Sequence, residues 1–340
     1  MRRIQVLRYL LLLSLFALVS GCEKALMDDS ASTDPRSCFD SMWQTIDRKY
    51  SYFREKNINW DSVYNHYSPQ VTPNTSDEEL FEVLDSMLYD LRDGHVNLIA
   101  PFNFSRNWNW YLDYPENFSY QVIERHYLAD DYRIAGGMQY RLIDSVGYIY
   151  YGSFSSGFTE EQLDEVFSYL SPARGVIVDV RNNGGGSLGL AFRLAKRFAQ
   201  SERRVLLTRE KSGPAHDDFG NELQYSLESG TRPSCKVPVV LLTNRRCYSA
   251  TNTFTGVMSQ LPSVTIMGDQ TGGGGGIPVD FELPNGWRYR FSASQSFIYQ
   301  NNSLVEIEEG VAPDIRLDLD PENLATGTDD ILEAALDRLR

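Results

Sequence analysis

The chain has 340 residues, enough for two domains or one large one with a sizeable core. Hydrophobic residues make up 42%, charged residues 23% and aromatic residues 12%, the balance of a globular protein. The formal net charge of −14 has the wrong sign for a nucleic-acid binder, so nucleic acid is excluded as an expected partner.

Residues 1–21 carry Arg2, Arg3 and Arg8, then an apolar run, then small residues. This pattern is a secretory signal peptide, too short between its flanks to read as a spanning helix. The ending Val19-Ser20-Gly21-Cys22 resembles the bacterial lipobox, which implies cleavage before Cys22 and lipidation of that cysteine. The alternative is ordinary cleavage nearby, with Cys22 left as a plain thiol. On the lipobox reading a lipid bilayer is a partner through acylated Cys22. The protein is then expected in the cell envelope, anchored to a bacterial membrane at the outer membrane or periplasmic face. Loss of three arginines and no acids takes the charge from −14 to −17. Residues 22–35 read as a polar, acidic tether. With Cys22 acylated, Cys38, Cys235 and Cys247 remain; an odd count leaves at least one thiol free, and a Cys235–Cys247 pair stays open.

Between 36 and 54, Phe39, Met42, Trp43, Ile46, Tyr50 and Phe53 recur at helical spacing. Ser76 and Glu79 stand at capping-box spacing before a second stripe of Leu80, Val83, Leu84, Met87, Leu88 and Leu91. Asp93-Gly94 is expected to stop that helix, and His95 then opens the short strand 95–100. Residues 36–92 therefore read as a small N-terminal helical domain, and 93–340 as the remainder.

From residue 147 the pattern alternates. Residues 147–154 read as a strand, 159–170 as a helix capped by Thr159 and Gln162, and 175–181 as a strand covered on both faces. Residues 187–199 form the next helix, 237–243 another buried strand, and 249–260 the helix after it. Residues 279–294 read as a hairpin turning at Pro284-Asn285-Gly286, and 328–340 as a closing helix. Such alternation argues for an α/β core with parallel strands.

Two strand ends draw the chemistry together. One runs into Gly184, Gly185 and Gly186 before a helix; the other places Ser249 at the start of a helix. In an open parallel sheet, reactive groups collect where strands finish, and the first amides of a helix face incoming negative charge. Ala250 and one glycine amide could form an oxyanion hole. Read locally, Ser249 is either an N-cap or a nucleophile, and the glycines either a tight turn or part of such a hole. A phosphate loop would need Lys-Ser/Thr at fixed spacing, which is absent. Among the four histidines, at 66, 95, 126 and 216, His95 has the best address, in a short loop after a helix stop. No lysine follows Lys236, no His/Cys cluster has zinc spacing, and no cofactor is expected. Cys247 precedes the helix and competes only weakly as a nucleophile.

The segments LRDGHVNL, GVIVDVRNNGGGS, NRRCYSATN, GDQTGGGGG and EEGVAPDI occur in this order and spacing. Together they resemble the C-terminal processing, or tail-specific, serine peptidases, and in particular their tricorn-like branch, over residues 36–340. The resemblance implies a crotonase/ClpP-like α/β core with a small N-terminal helical domain and a peptide or unfolded protein as substrate. It implies an acyl-enzyme on Ser249 with His95 as base. The oxyanion hole would come from Ala250 with Gly185 or Gly186, and no metal takes part. A glutamate assists in this branch; Glu308 is the expected one, with Glu306 in reserve and Glu309 adjacent. The serine–lysine plan of the other branch would need a lysine where Gly274 stands. A non-catalytic ligand- or peptide-binding lipoprotein on the same scaffold is the rival reading, and an esterase or acyl transferase using the same triad is a third.

The interval Pro101–Val146 is too short for the PDZ domain that many relatives carry. Its aromatic-rich stretch, 102–128, suits either a core-packed arm or the lining of a peptide groove. The run Gly272–Gly276 reads either as a flexible loop or as a wall of the cleft.

Overall fold

The computed structural model describes residues 32–106, 113–300 and 303–340; the signal segment, Cys22 and the tether as far as residue 31 lie outside them. The N-terminal region contributes helices α1 (Pro35–Lys49), α2 (Trp60–Tyr67) and α3 (Asp77–Tyr89). Asp34 caps α1 through the amides of Arg36 and Ser37, and Ser76 with Glu79 closes a reciprocal capping box on α3. The left-handed residue after α3 is Arg92 (φ 49°) rather than Gly94, and the Arg92 guanidinium is tied to the carbonyl of Lys56.

These helices do not bury their apolar stripes on one another alone. They pack on an antiparallel sheet of order β11–β12–β1–β2, made of β1 (Asn97–Ala100), β2 (Asn103–Phe104), β11 (Pro278–Glu282) and β12 (Arg288–Ser292). Phe39, Met42, Leu84 and Leu88 share one core with Leu283, Trp287, Tyr289 and Phe291, so a hairpin some 200 positions away completes it. That hairpin turns at Pro284–Gly286, where Gly286 supplies the left-handed residue (φ 84°).

The central sheet has order β15–β10–β9–β6–β5–β4–β3. Its strands are β3 (Arg133–Ala135), β4 (Met138–Ile143), β5 (Val146–Tyr151), β6 (Gly175–Asp179), β9 (Val239–Thr243), β10 (Val264–Gly268) and β15 (Ile315–Arg316). The pairs β5–β6, β6–β9, β9–β10 and β10–β15 are parallel; β4 and β3 extend the edge antiparallel. Both faces are covered, which is why β6 and β9 are apolar almost throughout. Val176, Val178, Val239 and Leu241 point into one core with α4 (Glu160–Tyr169), α5 (Leu188–Lys196) and α6 (Ala250–Met258). Ile177, Val240 and Leu242 point into the other, against residues 118–128 and the closing helix, Asp330–Leu339. Each such side chain contributes about 1.5–3 kcal/mol by leaving water.

A third sheet, β14–β13–β7–β8, is antiparallel: β7 (Arg203–Glu210), β8 (Leu223–Leu227), β13 (Ser294–Gln300) and β14 (Ser303–Glu306). Within the aromatic-rich stretch, Phe118, Tyr120 and Tyr127 pack beneath the central sheet, as a core-packed arm would; residues 107–112 lie outside the described ones. Cys38, Cys235 and Cys247 are free thiols, so the Cys235–Cys247 pair is not formed. Among the described residues no helix is long and apolar enough to cross a membrane.

Candidate active site

Because β6 and β9 are parallel neighbours, the loops that leave them emerge side by side. Side-chain amides stitch them together. Asn182 N–H donates to Asn244 Oδ1 at 3.0 Å, and Asn244 Nδ2 returns a bond to Asn182 Oδ1 at 2.7 Å. Asn183 Oδ1 accepts from the Gly185 amide (3.0 Å) and from Thr251 Oγ1 in the first turn of α6 (2.7 Å). Beneath them Arg181, fully buried, pairs with Asp179 at 2.6 Å and Asp329 at 2.9 Å, tying the strand end to the closing helix.

Ser249 occupies the N-cap position of α6 without capping it. Its backbone sits at φ 58°, ψ −121°, a conformation costly for a side-chain-bearing residue, on the order of 1–3 kcal/mol. No helix amide bonds to its hydroxyl; instead Oγ lies 2.8 Å from His95 Nε2, 154 positions away in sequence. The Ser249 amide donates to the carbonyl of Gly273 at 2.9 Å, which anchors the strained turn.

His95 is buried, and burial pushes its imidazole down to about 4; Asp93 opposes the shift, while Arg290 and Lys56 add to it. The ring is therefore neutral at pH 7. Nε2 can accept the serine proton only if the ring's own proton is on Nδ1. Nδ1 faces Ser292 Oγ at 3.4 Å and Asp93 Oδ1 at 3.9 Å. Asp93 also accepts the His95 amide (2.8 Å) and the Tyr248 hydroxyl (3.3 Å). Burial opposes its charge, but Lys56, His95 and these hydrogen bonds hold the carboxyl below its usual value.

Glu308 is buried and makes no hydrogen bond to His95 among the described residues. Its Oε1 pairs with Lys56 Nζ at 2.7 Å, and its Oε2 accepts the amide of Gly275 at 2.9 Å. Burial raises the carboxyl, and Lys56 pulls it back. Glu306 accepts the Glu308 amide at 2.7 Å, and burial pushes it up to about 8. Glu309 is exposed.

The run Gly272–Gly276 is neither a loose loop nor open to a substrate along its whole length; it packs against the chain itself. A Cβ on Gly273 would meet the carbonyl oxygen of Glu308 at 1.9 Å, and one on Gly274 the Tyr248 ring at 2.4 Å. Both have positive φ, so a lysine at position 274 has no room and the serine–lysine arrangement is sterically closed. Gly185 (φ 100°) lies so close to Ser249 that a Cβ would stand 2.9 Å from the serine Cβ and 3.0 Å from the Ala250 nitrogen. With the Gly185 amide given to Asn183, the amides of Gly186 and Ala250 carry no backbone bond among the described residues. The cleft in front of them, about 630 Å³, is lined by His95, Ser153, Ser155, Gly184–Gly186, Ser249, Pro278 and Arg290. Cys247 is no rival: it is fully buried, bonded to the Val180 carbonyl, and burial pushes its thiol up to about 12. Among the described residues no acidic, His or Cys cluster could hold a metal ion.

The sequence reading therefore names Ser249, His95, Gly185 and Gly186, which line one cleft, Ala250, whose amide follows the serine, and Glu308, whose carboxyl is bonded to Lys56 rather than to His95. It misses Asp93, Ser292, Asn183 and Lys56. Asp93 carried a signal, being two residues before His95 in the same tight loop; Lys56 carried none.

Residues 145–317 match Peptidase family S41, and residues 31–89 match the Tricorn protease C1 domain. A chloroplastic C-terminal processing peptidase of Tetradesmus obliquus is 29% identical over 184 residues, which is 53% of this chain and 36% of that one. The chain thus spans about a third of that relative's length. The crystal structure of a candidate peptidase from Parabacteroides merdae is 43% identical with a TM-score of 0.85, covering 91% of this chain and 97% of that one. Mature CPAF, 10% identical, shares the fold with a TM-score of 0.66 over 90% of this chain and 96% of its own.

Proposed function

Since the chain belongs to peptidase family S41, the C-terminal processing peptidases, we propose that it is a serine endopeptidase acting through Ser249 and His95 on peptides or unfolded protein. One observation carries this reading: the 2.8 Å contact between an imidazole kept neutral by burial and a serine hydroxyl turned away from capping duty by its backbone. His95 Nε2 takes the proton of Ser249 as Oγ attacks the peptide carbonyl. The tetrahedral oxygen then lies between the Ala250 and Gly186 amides, Gly185 leaving the space that a side chain would fill. Loss of one such donor typically costs about 100- to 1,000-fold in rate. His95 returns the proton to the leaving amine, and water, activated in turn by His95, releases the acyl group. Asp93 orients the ring, and Glu308 assists without touching it.

Purified protein treated with a fluorophosphonate probe should label, Ser249→Ala should not, and His95→Ala should label about 100- to 10,000-fold more slowly. Equal labelling of all three would remove the assignment of Ser249 and His95, and labelling of none would leave only a binding protein on a peptidase scaffold. We further propose that Cys22 is acylated and anchors the protein in the cell envelope, from the lipobox-like sequence alone. Radiolabelled palmitate should enter the wild type and not Cys22→Ala; incorporation into both would refute the anchor.

A further inference from the structure

The site contains a buried cation that the mechanism above does not use. Lys56 lies in the segment between α1 and α2, and its side chain is only 7% exposed. Its Nζ donates to Glu308 Oε1 (2.7 Å) and to the carbonyl of Arg92 (3.0 Å), the residue before Asp93. Its own carbonyl accepts the Arg92 guanidinium, so residues 56 and 92 grip each other in both directions. The rings of Tyr50 and Tyr52 flank the ammonium at 5.9 and 5.5 Å.

Around it the charges need balancing. Asp93 is fully buried, and its Oδ2 has no hydrogen-bond partner among the described residues, so that oxygen depends on nearby positive charge. Glu308 is buried as well, and Glu306, pushed up to about 8, is protonated at neutral pH. The groups facing His95 are Asp93, Ser292, Tyr248, Arg290 and Lys56; Arg290 is bonded to Asn97. Lys56 is the cation bonded to Glu308 and, through the Arg92 carbonyl, to the residue before Asp93.

We propose that Lys56 is a positioning residue for the catalytic base: seated by Glu308, it is the cation that keeps Asp93 charged, fixes the 92–95 loop, and so holds the His95 proton on Nδ1 with Nε2 free for Ser249. This rests on the peptidase reading and assigns Glu308 its part in it, namely to seat Lys56. Removing a cation raises the pKa of Asp93 and of His95 alike, because Lys56 favours the unprotonated form of both. The reactive form is then lost at higher pH than in the wild type.

The test is the pH profile of the fluorophosphonate acylation rate. In Lys56→Met the acid limb should move up by about one to three pH units, and Lys56→Arg should return it towards the wild-type position. In the double variant Lys56→Met/Glu308→Gln the limb should stay displaced, since Asp93 still lacks its partner. A wild-type limb in Lys56→Met, even at a lower rate, makes the residue merely structural and overturns the proposal. A wild-type limb in the double variant also overturns it, because Lys56 would then serve Glu308 alone. If Lys56→Met does not fold, the other two variants decide by the same criteria. A wild type that does not label at all removes the peptidase reading instead, a different failure.

Discussion

The two halves of the site are built by opposite means. The nucleophile half stands on β6 and β9, strands buried on both faces, and its loops are held by neighbouring backbone and short amide side chains. The base half stands on a loop after α3, over a small sheet closed by a distant hairpin, and is held by the buried charges Lys56, Asp93 and Glu308. Packing, short amide bonds and the closed Arg181–Asp179–Asp329 cluster fix the first half at a distance from the reacting atoms; in the second, the charges lie beside the base itself. Position in the first half is thus robust, and protonation in the second is adjustable.

The sharpest way to test that contrast is to neutralise the base half without altering its shape. Asp93→Asn should lower the acylation rate about 100-fold or more, since an amide can settle His95 in the wrong tautomer. A full-rate Asp93→Asn would break the comparison. The complementary cut falls on the nucleophile half. Arg181→Met strands Asp179 and Asp329 without a cation and should cost about 3–5 kcal/mol in urea unfolding. A loss under 1 kcal/mol would mean that the strand end is not locked as described. The smallest effect concerns the wild type. With His95 pushed down to about 4, its neutral form is the base, so the rate should hold from neutrality down and fall only as pH drops through about 4. An acid limb near 6.5, the ordinary histidine value, would show the ring to be more hydrated than the structure makes it.

This asymmetry also decides what could be read from the chain. The nucleophile half was legible because strand, turn and helix are contiguous: Gly184–Gly186 and Ser249 each announce themselves within a dozen residues. His95 was legible as a ring placed at a helix exit and through the resemblance of LRDGHVNL to the family. Lys56 was not, because a lysine between two helices looks like surface until residue 308 is brought against it. The helical region reads correctly as helical, yet its core includes Trp287 and Phe291, which no local period connects to it. Sheet β14–β13–β7–β8 went unread for the same reason: residues 203–227 gain their meaning only by pairing with β13. The glycine run resisted interpretation because what it approaches is not a ligand but Glu308 and Tyr248.

The dihedral angles of Ser249 carry a last implication. Glycine adopts φ 58°, ψ −121° far more easily than serine, so Ser249→Gly should gain on the order of 1 kcal/mol in unfolding free energy while ending all labelling. The inert protein would be the sturdier one. Selection for durability alone would therefore erode this serine, and the proposed reaction is what would keep it in place.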